Sequence, residues 1–357
     1  MKTYICIVIS LLVSTSSFAY VWTAEATGTT EIIAVWAADE NIVYAGGTGN
    51  AQILRRESDG TWIMMSNPDG VGWINCIWGT DANNVWAGGS AGSIYHYDGN
   101  VDNQWTYYGG IGSTTEILAM DGTDANNIYA TGFDWMGGHL FRFDGTAWTD
   151  ITSTVNPPIK ARGIRVFGVD DFWLAGSAYP GGTYDAAVSH RKNGVWTTST
   201  LLVGEAYLTG IAGDVNNLVV VGINGRSFQY DGSTWTDMTD LGVKDFLAWR
   251  DVKLAGNGLF FACGDRGIMK IYANGVWTEE LYLNFWQEGF NKIGCSGTSM
   301  WAVGKNGRIY RATIDPPLCD SPLSADLNCD EKVDFKDFAT LADEWFAIDP
   351  DIYPLWP

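Results

Sequence analysis

The sequence predicts an all-β protein: a seven-bladed β-propeller of four-stranded blades, followed by a small helical module built on a calcium loop. Three observations predict it. A glycine closes a small-residue strand at Gly47, Gly89, Gly132, Gly176, Gly222, Gly264 and Gly304, at intervals of 40 to 46 residues. A Trp recurs late in each unit except the last, and the missing one is supplied by the other end of the chain. An acidic ladder, Asp326, Asn328, Asp330, Asp334, Asp337, stands near the C-terminal end.

In chain order, residues 1–19 read as an export signal. Lys2 precedes an apolar run from Tyr4 to Val13, and Ser17-Phe18-Ala19 is a small-residue cleavage site. The run is too short to span a bilayer, so the expectation is a secreted protein, free or held at a cell surface, with no membrane span. The formal net charge is -20, with no basic stripe, which argues against a nucleic-acid partner. Cys6 falls in the signal. Cys76, Cys263 and Cys295 lie in strand-like segments and read as small buried hydrophobes, and no zinc spacing is present. Cys319 and Cys329 are a candidate disulfide that would tie a linker to the acidic loop.

Residues 20–314 hold the repeats. "NNVWAGGSAGSIYHYDG" (83–99) is echoed by "NNIYATG" (126–132) with "LFRFDGTAWTD" (140–150), and again by "NNLVVVGINGRSFQYDGSTWTD" (216–237). Each unit contains four short apolar and aromatic runs separated by Asn-Asn, Gly-rich or Asp-Gly turns. Four strands at a period near 42 mark a propeller blade, because one blade cannot bury both faces of its sheet and a ring of blades can. The fourth strand of each unit carries Trp62, Trp105, Trp148, Trp196, Trp235 and Trp277. The seventh unit stops at "RIYRAT" (308–313), so "YVWTAEA" (20–26), with Trp22, is expected to supply its outer strand and close the ring.

The stretch "IWGTDANNVWAGGSAGSIYHYDG" (77–99) resembles the extracellular propellers related to sialidase-type Asp-box repeats and to photosystem II assembly-factor propellers. The resemblance covers residues 20–314 and implies fold rather than activity. Turns such as Asp144-Gly145 and Asp231-Gly232, each followed by a Trp, echo the Asp-box and are read as structural, the Asp accepting backbone N–H bonds. The resemblance supplies no catalytic residue.

Counting back from the marker glycines places Glu31, Trp73, Glu116, Arg162, Tyr207, Phe246 and Phe290 at the starts of the innermost strands, around one end of the channel. Carboxylates, an Arg and aromatics suit a sugar-like ligand, and the same residues would equally serve as a solvated rim. Paired carboxylates about 5–10 Å apart would also allow glycoside hydrolysis. Longer loops at 132–139 and 176–186 insert Trp135, Tyr179 and Tyr184 on the same face, which points to a binding surface near the third and fourth blades. The expectation is a non-catalytic propeller that binds a glycan or protein. The alternative is a glycoside hydrolase or polysaccharide lyase, and a third is a structural cell-surface protein.

Pro316-Pro317 opens a linker (315–323) to a module at 324–357. Asp326, Asn328, Asp330, Asp334 and Asp337, with the backbone carbonyl of Lys332, fit the oxygen ligands of a calcium loop. Phe335, Phe338, Leu341, Ala342 and Trp345 follow at helical spacing, with Asp334 able to cap the helix. "DLNCDEKVDFKDFATLADEWF" (326–346) resembles one calcium-binding repeat of type I dockerins. The resemblance implies docking onto a cohesin or similar surface scaffold, in polysaccharide degradation. Glu331 stands where that family has Gly, at a cost of about 1–2 kcal/mol, which implies weaker calcium binding. Phe335 and Lys336 stand where the family has small hydroxyl residues that read the cohesin.

Overall fold

A computed structural model describes residues 20–314, apart from 26–29, 66–71, 180–182, 240–246, 283–288 and the single positions 51, 101, 103, 113, 205, 257, 274 and 298. The segments expected to form an export signal, a Cys319–Cys329 disulfide and a calcium loop with its helix, and the expected rim residue Phe246, lie outside the described residues. The chain divides into two compact units, Trp22–Ala312 and a unit formed from the two ends. The first of these is the propeller.

Strand β1 (Tyr20–Glu25) is followed by seven sets of strands. Blade one is β2 (Ile32–Ala37), β3 (Val43–Gly47), β4 (Ile53–Arg56) and β5 (Trp62–Met64). Blade two is β6 (Ile74–Asp81), β7 (Asn84–Gly89), β8 (Ser93–Tyr97) and β9 (Thr106–Gly110). Blade three is β10 (Glu116–Asp124), β11 (Asn127–Phe133), β12 (Gly138–Phe143) and β13 (Trp148–Asp150). Blade four is β14 (Lys160–Gly168), β15 (Asp171–Ala178), β16 (Asp185–Lys192) and β17 (Val195–Leu202). Blade five is β18 (Leu208–Asp214), β19 (Asn217–Gly222), β20 (Ser227–Tyr230) and β21 (Trp235–Asp237). Blade six is β22 (Trp249–Leu254), β23 (Phe260–Gly264), β24 (Ile268–Ala273) and β25 (Val276–Tyr282). Blade seven is β26 (Phe290–Ser296), β27 (Ser299–Gly304) and β28 (Ile309–Ile314), with β1 hydrogen-bonded to β28 as its fourth strand.

The expected closure is therefore present. The Thr23 hydroxyl donates to Arg311 O at 3.3 Å within it. The first strands of neighbouring blades touch all the way round, β26 meeting β2. Buried apolar clusters fill the seams. Ile32, Val35 and Leu54 of blade one pack on Trp301, Val303 and Ile309 of blade seven.

The marker glycines have one physical cause. Each pairs with the first strand of its blade, and a Cβ there would lie 1.8 to 2.5 Å from a carbonyl oxygen of that strand's leading residue. Those carbonyls belong to Glu31, Trp73, Glu116, Lys160, Tyr207, Ala248 and Gly289. At Gly264 and Gly304 the backbone is extended, so close approach, rather than a left-handed φ, excludes a side chain.

The hairpin after β7, β19, β23 and β27 is tight, with paired left-handed residues such as Ala91-Gly92, Asn224-Gly225, Arg266-Gly267 and Asn306-Gly307. Blades three and four replace it with longer loops. At the opposite end of the blades, the Asp-Gly turns behave as expected. Asp144 Oδ1 accepts the N–H groups of Thr146 and Ala147 at 2.9 and 3.0 Å, and Asp231 Oδ1 accepts those of Ser233 and Thr234 at 2.8 and 2.7 Å. One expected position shifts. Trp105 lies just before β9 rather than in it, because Asn100 braces a longer loop by bonding Gln104 through both its amide oxygen and nitrogen.

Candidate ligand-binding mouth

The leading residues of the first strands define the site. In tight hairpins the chain folds back onto them: Thr48, Ser90 and Ile223 N–H donate to the carbonyls of Glu31, Trp73 and Tyr207 at 2.9, 3.1 and 3.2 Å. Leading residues and hairpin loops therefore share one end of the ring. The long loops of blades three and four leave from that end too, since Phe133 pairs with Glu116 and Ser177 with Lys160.

Glu31, Trp73, Glu116 and Tyr207 occupy equivalent leading positions, as expected. Arg162 and Phe290 do not. The equivalent residues in their blades are Lys160 and Gly289, because Ala161 pairs with Gly176 and Phe290 itself pairs with Gly304. In every first strand the pairing register then skips one residue: Ile33, Asn75, Leu118, Arg162, Thr209, Arg250 and Asn291. A bulge at one level of all seven blades re-aims that side chain.

Most polar members of this bulge ring reach a fixed partner. Asn75 Nδ2 donates to Glu116 Oε2 at 3.1 Å, and Asn291 Nδ2 to Glu31 Oε1 at 3.0 Å and Ile32 O at 2.9 Å. The Thr209 hydroxyl bonds Trp249 O at 2.8 Å, and Arg250 Nε bonds Asp265 Oδ1 at 2.8 Å. Each carboxylate of the expected pair is thus tied to an Asn of the neighbouring blade, and the two stand on blades one and three.

Arg162 differs. Its guanidinium lies 4.6 Å from the Phe133 ring centroid and 3.9 Å from that of Tyr207, between blades three and five. Nη1 is buried with no hydrogen-bond partner. Burial pulls the guanidinium below its ordinary pKa, and Tyr207 and Tyr184 oppose that. Phe133 and Lys160 were not expected from the sequence. Phe133 follows marker glycine Gly132, and only alignment on the pairing register would single it out.

The expected aromatics of this end are exposed. Trp73 is 52% exposed, Trp135 81%, Tyr179 56% and Tyr184 44%. The rings of Tyr179 and Tyr184 meet at 4.9 Å. Asp134 shapes the Trp135 hairpin: Oδ1 accepts from Met136 and Gly137 N–H at 2.7 and 3.0 Å, and Oδ2 from the Thr114 hydroxyl at 2.9 Å. Lys160 Nζ donates to Asp134 O at 3.3 Å, tying the hairpin to blade four.

Below the mouth the first strands enclose a central cavity of about 60 Å³, whose charged lining is Arg162, Lys253, Lys292 and Asp251. A second, mostly apolar cavity of about 240 Å³ lies beside the Trp135 hairpin, with His139, Leu140, Val155, Ile159 and Leu174 in its wall. His96 and His190 are framework groups, stacked on Trp86 and Trp173 at 4.2 and 4.1 Å. Cys76 and Cys263 are buried free thiols, and burial pushes Cys76 up to about 12. Among the described residues no group of three or more His, Cys, Asp or Glu is placed to hold a metal, and no helix is long and apolar enough to cross a membrane.

No protein-family model and no curated protein matches the sequence. Solved structures do match the coordinates. The WD40 β-propeller domain of Doa1 superposes with a TM-score of 0.68 at 13% identity, over 83% of this chain and 97% of that one. YCF48 bound to D1 peptide gives 0.63 at 14%, over 85% and 100%. A catalytically inactive virginiamycin B lyase from Staphylococcus aureus with quinupristin gives 0.69 at 12%, over 83% and 99%. The likeness is one of fold. Seven blades of four antiparallel strands are common ground for proteins whose activities differ.

Proposed function

We propose that the chain is a secreted, non-catalytic binding propeller whose mouth holds a glycan, and whose C-terminal segment tethers it through calcium to a cohesin-type module or cell-surface scaffold. One observation carries the binding reading. Trp73, Trp135, Tyr179 and Tyr184 stand exposed at the same end of the ring as the half-buried Arg162. Exposed aromatic rings beside a few polar groups suit the C–H faces and hydroxyls of a sugar. The carboxylates favour binding over hydrolysis. A hydrolase needs one carboxyl free to give a proton and another free to act as base or nucleophile. Glu31 and Glu116 instead hold amides across blade seams.

Calcium tethering rests on the dockerin-like ligand spacing of Asp326, Asn328, Asp330, Lys332, Asp334 and Asp337. A second ligand class has one observation in its favour. The apolar cavity walled by Leu140, Val155, Ile159 and Leu174 would take a polypeptide side chain, and YCF48 is a propeller of this fold bound to a peptide.

The test is a glycan array probed with the full chain, run beside an assay for reducing ends released from mixed polysaccharides. Binding without release, weakened about tenfold or more by Trp135→Ala at unchanged thermal midpoint, is the expected result. Release of reducing ends, or no glycan bound at all, would sink the reading. For the tail, calorimetric titration of calcium into the full chain should show a site that Asp326→Ala with Asp330→Ala removes. No heat from the parent protein would refute it.

A further inference from the structure

The bulge ring carries an asymmetry that bears on which glycan fits. It rests on the glycan reading above. Of its five polar members, Asn75, Thr209, Arg250 and Asn291 each bond an acceptor on their own or the next blade. Arg162 meets no acceptor among the described residues. Its guanidinium carbon lies over the rings of Phe133 and Tyr207, 4.6 and 3.9 Å from their centroids, and Nη1 is buried and unpaired. A partly desolvated cation without a counter-charge is destabilising, and an anion brought to it recovers that loss. Nη1 stands on the edge of the guanidinium fork without an acceptor, and that edge is what pairs with a planar or tetrahedral oxyanion.

The surroundings point the same way. The cavity beneath the mouth adds Lys253 and Lys292 against the single carboxylate of Asp251. Glu31 and Glu116 stand on the rim of the same end, each tied to an Asn amide, but the cavity lining itself is cationic on balance in a chain whose formal net charge is -20. The Lys160 ammonium, 5.7 Å from the Phe133 ring centroid, adds to it.

We infer that the mouth selects an acidic glycan: Arg162 receives a carboxylate or sulfate substituent of a sugar whose ring packs on the aromatics of blades three and four. The shared chemistry is an oxyanion on a saccharide, and uronic acids and sulfated sugars are its two sources.

The experiment is calorimetry with the full chain in the presence of a calcium chelator, so that binding bridged by calcium is not measured. The probes are an oligogalacturonate, its methyl ester, a carrageenan oligosaccharide, a neutral galactan oligosaccharide and a poly-glutamate peptide. At least one acidic oligosaccharide is expected to bind tenfold or more tightly than the neutral one. Arg162→Gln should remove that difference, and Arg162→Lys should keep part of it. Which acidic probe binds identifies the substituent. If the galacturonate is the ligand, its methyl ester loses at least tenfold on the parent protein, which keeps the test open should Arg162→Gln fail to fold. Equal affinity for neutral and acidic sugars, or an Arg162→Gln variant that binds as the parent does, overturns the inference and leaves the glycan reading standing. Poly-glutamate bound with no oligosaccharide bound overturns both, as does no binding of any probe.

Discussion

Lys292 and Asp251 meet across the seam between blades six and seven, Nζ to Oδ1 at 3.5 Å, while Asp251 Oδ2 accepts Ile293 N–H at 3.1 Å. The same device joins blades three and four. Asp121 Oδ2 accepts Val166 N–H at 2.7 Å and faces Arg165 Nη1 at 3.1 Å. In both places a carboxylate on one first strand holds a cation and the next residue's N–H on the neighbouring first strand. First strands are not paired with one another in a propeller, so such bonds set how one blade sits against the next.

Asp251→Ala should therefore be costly. Asp251 is 3% exposed, and its removal strands both the Lys292 ammonium and the Ile293 N–H. A loss of about 3–5 kcal/mol in unfolding free energy is expected, with a good part regained in Asp251→Ala with Lys292→Met, since the second change removes the orphaned charge. Urea denaturation of the four proteins of the cycle measures it. A single-mutant loss below about 1 kcal/mol would show that the seam does not depend on the pair.

Two glycines of blade three make a sharper prediction, because the marker Gly132 and the loop Gly137 differ in what a side chain there would meet. A Cβ at Gly132 would sit 1.8 Å from Glu116 O, whereas one at Gly137, five residues on, meets nothing within 4 Å. Gly132→Ala forces the two strands apart and should cost about 3 kcal/mol, at the upper end for overpacking. Gly137→Ala should change stability by about 0.5 kcal/mol or less. Equal thermal midpoints for the two variants would contradict this account of the repeat.

That glycine pattern is why the fold was legible. Each blade needs a residue without Cβ where the second strand passes under the leading carbonyl of the first, and the requirement prints itself on the chain seven times. The Trp bookkeeping that placed β1 beside β28 was legible for a related reason, since a ring cannot leave a blade one strand short. The mouth was read less well. Arg162 and Phe290 lie two and one residues out of register from Glu31 and Trp73, because every first strand holds a bulge that no residue type announces: Ile33, Asn75 and Arg162 share that level. The exposure of Trp135, Tyr179 and Tyr184 followed from the lengths of their loops. The clamp of Phe133 and Tyr207 on Arg162 joins blades three, four and five, and only the closed ring brings those together.

Closure itself can be tested through Glu25 on β1. Its carboxylate takes Arg56 Nε at 3.1 Å and Trp62 Nε1 at 2.7 Å, both on the outer strands of blade one. Thus the strand that completes blade seven is also latched to the blade it meets. Arg56 is a buried side chain, so Glu25→Ala leaves its charge unpaired, and a loss of about 3 kcal/mol is expected. Glu25→Gln keeps an acceptor for Trp62 and should lose less. If hydrogen exchange in β26–β28 is as slow in Glu25→Ala as in the parent protein, the latch has no part in closing the ring.

The Asp-Gly turns predict how stability responds to acid. The Thr146 hydroxyl, with the Thr146 and Ala147 N–H groups, holds Asp144 down from 3.8 to about 2. The Thr234 N–H, then the Ser233 hydroxyl and N–H, hold Asp231 lower still. A carboxyl depressed in the folded state binds its proton more readily in the unfolded chain. Its contribution is complete above the unfolded value near 3.8, and is lost as pH falls through the folded one. From these groups, stability should be flat between pH 5 and about 8 and decline as pH drops from about 4 towards 2. Asp144→Asn removes the titration while leaving an oxygen to accept the same N–H groups. The variant should therefore be less stable than the parent at pH 6 and converge on it near pH 2. Urea midpoints measured across that range decide the matter: a gap between the two proteins that stays constant down to pH 2 would mean that the charge on Asp144 does not support its turn.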